Sequence, residues 1–75
     1  DLTASLEVQE AEIKVAEAGL ARLKDQLKRL ENVKDPRAVS ADEVNTRRFD
    51  VAVAETQLEA SKSKAKEIAA LIDRY

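Results

Sequence analysis

The sequence predicts an all-α fold: two long antiparallel helices forming a coiled-coil hairpin, with a short turn near residues 35-40. Three observations carry this. Apolar residues recur at alternating spacings of four and three along both halves, and a proline and a capping motif stand together between them. The 75 residues are 37% charged and 44% hydrophobic, with one Gly, one Pro and only Phe49 and Tyr75 as aromatics, a composition of long helices and not of a layered globule.

Helix 1 is expected over about residues 2-34. Its stripe is Leu2, Leu6, Gln9, Ile13, Ala16, Leu20, Leu23, Leu27 and Leu30, which Gln9 alone interrupts. Pro36 stops it, because proline has no amide hydrogen to donate and biases Asp35 away from helical dihedrals.

The restart is well marked. Ser40 and Glu43 make an S-x-x-E capping box, in which the hydroxyl accepts from the Glu43 amide and the carboxylate reaches back to the Ser40 amide. Val39 and Val44 fit the hydrophobic staple around it. Helix 2, expected over about 41-74, then repeats the stripe as Val44, Arg47, Val51, Ala54, Leu58, Ser61, Ala65, Ile68, Ile72 and Tyr75.

Antiparallel helices place layers opposite each other at a constant sum of residue numbers. A sum of 74 pairs Leu30 with Val44, Leu27 with Arg47, Leu23 with Val51, Leu20 with Ala54, Ala16 with Leu58, Ile13 with Ser61, Gln9 with Ala65, Leu6 with Ile68 and Leu2 with Ile72. Large meets small in the middle layers, as close knob-into-hole packing requires. The expected object is a thin rod, its turn (the tip) about 50 Å from the termini (the base).

Opposite the seam, helix 1 carries Ala4, Val8, Ala11, Val15 and Ala18, and helix 2 carries Phe49, Val53, Thr56, Ala60 and Ser63. Alanine there is explained by helix propensity alone. Val8, Val15 and Val53 are not, and with Ala11 and Phe49 they read as a surface on which the rod packs sideways. Charge is uneven too. Arg22 to Arg48 holds eight basic and five acidic residues, so the tip half is +3 and the base half -5, which reads either as a solvated surface or as a docking end.

The chemical inventory is sparse. With no His and no Cys there is no common general base, thiol nucleophile, disulfide or thiolate metal site, so neither an enzyme nor a bound cofactor or metal is expected. The lone Gly19 cannot build a phosphate-cradling loop; it marks either close lateral approach or nothing. Carboxylates fall at ion-pair spacings such as Glu10 to Lys14 and Asp25 to Arg29, and Glu10 with Lys62 and Glu12 with Lys64 could pair across the seam edges. A net charge of -2 argues against a general nucleic-acid or anionic-membrane binder. With no signal peptide and no apolar run of bilayer length, the stretch is expected to be soluble as written. It begins and ends inside helical pattern, which points to an excised piece of a larger protein.

The turn carries a family likeness. Arg29, then Val33, then Ser40, with "AVS" opening the second helix, resembles the tip motif of the α-helical hairpin in bacterial periplasmic adaptor proteins, the membrane fusion proteins of the HlyD-like family. That motif has Arg, Leu and Ser at the same intervals. "VSADEVNTRRFDVAVAETQLEASKSKAKE" is similar to the family's second hairpin helix. Val33 stands where the family has Leu, and Pro36 where many members have a Gly-containing turn.

The resemblance implies one part of a tripartite efflux or export pump, without the adaptor's lipoyl and β-barrel domains. An adaptor of this kind lies in the periplasm of a Gram-negative type bacterium, anchored to the membrane directly or by lipid. It links an inner-membrane transporter to an outer-membrane channel protein, and its hairpins stand side by side as a hexamer. By carry-over Arg29, Val33 and Ser40 would dock on the channel; Arg37, at the apex, is a further candidate outside the motif.

Each residue also has a plainer role: Ser40 as a cap, Arg29 against the helix dipole and Asp25, Val33 as cover for the last layer. Arg47 lies in the seam, where its stem would pack while its guanidinium reaches out. Two other classes remain open, a structural antiparallel spacer and an RNA-binding helical arm. The spacer predicts a polar outer face; the RNA arm needs a continuous basic stripe, which Asp35, Asp42 and Glu43 interrupt.

Overall fold

A computed structural model describes residues 1-33 and 40-74. It consists of α1 (Leu2–Glu31) and α2 (Ala41–Arg74), packed against each other as an antiparallel hairpin. The rod measures 59 × 14 × 13 Å on Cα positions. No described helix is long and apolar enough to cross a membrane.

The start of α1 is capped by Asp1, whose Oδ1 accepts from the Ala4 amide at 2.8 Å. Its end comes at Glu31, three residues before the expected Lys34. Asn32 caps it at φ -90°, ψ 1°, its amide donating to the Lys28 carbonyl at 3.1 Å, and the Val33 amide turns back to Leu30 at 3.3 Å. That i to i+3 bond tightens the last turn, at a site where Asn and β-branched Val both have low helix propensity. The helix therefore ends at Glu31, five residues short of Pro36 in the sequence. Pro36 lies outside the described residues, as do Val39 of the staple and Tyr75 of the seam. At the start of α2 the Ser40 Oγ accepts from the Glu43 amide at 3.0 Å, and Asp42 and Glu43 set negative charge on the helix N-terminus.

The seam is the sequence stripe. Every described stripe residue of both helices is buried or half-buried. Leu20, Val51 and Leu58 form the buried core, with Ile13, Ala16, Leu23, Leu27 and Ala54 packed on it, which are the middle layers of the 74 register. Arg47 is half-buried in its layer and extends its guanidinium to 3.9 Å from the Asp50 carboxylate.

Gln9 is the buried polar residue of the seam, 5% exposed. Its Nε2 donates to the Ser61 carbonyl at 3.4 Å. A helical carbonyl points toward the residue four ahead, so the Ser61 oxygen is displaced from its own layer toward that of Ala65, the register partner of Gln9. Small Ala65 leaves room for the amide. A lone polar residue at a seam position specifies register at a cost in stability. Gln9→Leu should therefore raise the midpoint of thermal unfolding followed by circular dichroism, by about 1 kcal/mol of stability. A lowered midpoint would mean that the bond to Ser61 outweighs the burial of a leucine.

Candidate functional site

Of the four sequence-predicted tip residues, three are described and all three are exposed: Arg29 and Val33 at the end of α1, and Ser40 at the start of α2. Arg37 lies outside the described residues. The Arg29 side chain is 79% exposed, and its Nη2 is held by the Asp25 carboxylate at 2.9 Å, one turn back. Its guanidinium is thus oriented without being covered. Ser40 makes its capping bond while exposed, so cap and contact are compatible in one residue.

The predicted lateral residues are exposed as well: Val15 by 74%, Phe49 by 69%, Val8 by 60% and Val53 by 39%, with Ala11 also open. Thr56, between Val53 and Ala60 on this face, donates its hydroxyl to the Ala52 carbonyl at 3.0 Å. A hydroxyl satisfied within its own helix adds little polarity to the face. The total accessible surface is 5894 Å², about 1,300 Å² more than the ~4,600 Å² expected of a compact chain of this mass.

The two flanks of the seam differ in chemistry. One carries Glu17, Lys24 and Glu31 on α1 and Arg48, Glu55 and Lys62 on α2. Here the Arg48 Nη2 meets the Glu31 Oε2 at 2.8 Å, the ion pair that joins the helices among the described residues. Lys24 with Glu55, and Glu17 with Lys62, have the same sequence offset further toward the base without closing to ion-pair distance. The other flank carries Ser5, Glu12, Gly19 and Gln26 on α1 and Asp50, Gln57, Lys64 and Leu71 on α2, with Val8, Val15, Val53 and Ala60 beside them. It is furrowed. One groove, lined by Ala16, Gly19, Leu23, Gln26, Ala54 and Gln57, lies midway along the rod, and a second, lined by Leu2, Val8, Gln9, Glu12, Lys64 and Ile68, lies at the base.

Three expected ion pairs, Glu10 with Lys14, Glu10 with Lys62 and Glu12 with Lys64, are not formed. Helical side chains lean toward the N-terminus of their own helix. Glu10 and Lys62 sit nearly level in the 74 register, so in an antiparallel pair they lean apart. Glu31 and Arg48 are offset the other way and converge. Glu12 and Lys64 instead line the base groove. Sequence spacing also missed Gln26, Asp50 and Leu71, half-buried on the furrowed flank, and Ala69 on the charged one. A Cβ on Gly19 would meet nothing within 4 Å, so no neighbour in this chain requires glycine there.

No family model, curated protein or solved structure matches the chain.

Proposed function

We propose that this chain is the α-helical hairpin of a periplasmic adaptor. In this reading its tip docks on an outer-membrane channel and its sides pack on neighbouring hairpins, linking the channel to an inner-membrane transporter. The observation that carries the reading is the rod's division of labour. It has a cap-and-turn motif of Arg29, Val33 and Ser40 at one end, exposed and in the family's order, and an apolar outer face of Val8, Val15, Phe49 and Val53 along its length. A plain spacer accounts for the cap at Ser40 but has no use for the apolar outer face. An exposed valine or phenylalanine gains nothing for a solvated helix, whereas a neighbour would cover it. The role is one of contact and not of catalysis.

Two substitutions separate cap from contact in the full-length protein. Asp caps a helix about as well as Ser, and loss of the cap to Ala costs about 1 kcal/mol. Ser40→Asp should thus leave thermal stability unchanged while it and Arg29→Ala cripple substrate export and channel binding at normal protein levels. Normal export by both variants would remove the docking role and leave a structural spacer.

The sides are tested separately. Val8→Glu with Val15→Glu places charge on the outer face of α1, so side-by-side assembly of the full-length adaptor, read by crosslinking, should be lost with helicity unchanged. Assembly at the level of the unaltered protein would reduce this face to helix propensity.

A further inference from the structure

We propose that two copies of this chain pair antiparallel, furrowed flank on furrowed flank, about a two-fold axis at the level of Gln57, giving a four-helix bundle in which each tip half lies over the other copy's base half. The pairing does not rest on the export reading, whose ring is parallel, and either can fail without the other.

Three observations select a second copy as the occupant. The first is that the furrowed flank is the better fitted of the two to be covered. The other is a row of Glu17, Lys24, Glu31, Arg48, Glu55 and Lys62, already engaged through Arg48 and Glu31 and with a smaller groove edged by Glu17 and Lys24, whereas the furrowed flank has exposed valines beside two larger grooves floored by seam side chains. A single sticky patch meeting its own copy gives a closed, isologous pair; a ring needs two different complementary flanks.

The second is charge complementarity at two scales. The tip half is +3 and the base half -5, so antiparallel rods place opposite charge on opposite charge where parallel rods place like on like. Locally, Asp50 and Lys64 lie seven residues either side of Gln57 on the same flank. A two-fold axis at Gln57 sets α2 on α2 and brings Asp50 of each copy to Lys64 of the other. Asp50 is held only by a long ion pair, 3.9 Å, to Arg47 of its own helix, and no described carboxylate pairs with Lys64.

The third is size and shape. A flank of 59 by 14 Å offers on the order of 800 Å² per copy, the contribution each partner makes to a standard interface. Gly19, at the middle groove with open space before it, lets a second helix come close at the centre of the pair.

The test is a set of single cysteines in this chain, which has none of its own. In the antiparallel pair Gln57 meets its counterpart on the axis, so Gln57→Cys should oxidise to a disulfide-linked dimer. Glu17→Cys, on the charged flank, should stay monomeric. A parallel face-to-face pair would instead set Gly19 against Gln57, so preferential linkage in a mixture of Gly19→Cys and Gln57→Cys would overturn the proposal. In sedimentation equilibrium of the unaltered chain, dimerisation should weaken about tenfold with Asp50→Lys, and the added Lys64→Asp should restore it. A monomer at every concentration, with Gln57→Cys oxidising no faster than Glu17→Cys, would overturn it equally.

Discussion

The molecule depends on one constraint, that two helices share a single seam whose layers meet at a fixed register. With so short a chain there is no second layer of structure to correct a slip. A shift by one heptad would move Leu58 off Ala16 and Leu20 off Ala54, setting large on large in some layers and small on small in others. Gln9 adds a directional element inside the seam, its amide donating to the Ser61 carbonyl, and the Arg48–Glu31 pair adds another at the seam's edge. Fixing the register fixes the rest: which end is the tip, which residues flank the turn, and which charges converge across the seam.

The same economy explains the surface. Two helices can bury one stripe each, and here that leaves, among the described residues, three apolar side chains buried to below a tenth of their surface, and about 1,300 Å² of surface beyond what a compact chain of this mass exposes. How a sequence spends its exposed positions then becomes informative. One flank is mostly charged, and its Arg48 and Glu31 already pair with each other. The other mixes small and apolar side chains with a few charges, Glu12, Asp50 and Lys64 among them, around open grooves, and the proposed contacts with neighbouring hairpins, parallel or antiparallel, all draw on this uncovered surface.

The seam was legible in the sequence because a four-three repeat admits one geometry, and Leu2 to Leu30 and Val44 to Ile72 are burial-graded as the repeat dictates. The cap at Ser40 was legible because its chemistry is local to four residues. The end of α1 was not, since Pro36 announces itself while Asn32 and Val33 end the helix through small, cumulative preferences. Cross-seam ion pairs were not either: they depend on the lean of side chains along antiparallel axes, which separates Glu10 from Lys62 and joins Glu31 to Arg48. The half-burial of Gln26, Asp50 and Leu71 follows from how far the helices roll, which a repeat leaves free. The docking role proposed for the tip rests on family likeness, because Ser40 as a cap and Arg29 beside Asp25 each have a sufficient local reason to be where they are.

The register is tested most directly by disulfide formation inside the seam. Leu23 and Val51 share a layer, so Leu23→Cys with Val51→Cys should oxidise rapidly and within one chain, with helicity retained. Leu23→Cys with Leu58→Cys is displaced by one heptad, about 10 Å along the axis, and should not close. Efficient closure of the second pair with failure of the first would contradict the register and everything built on it.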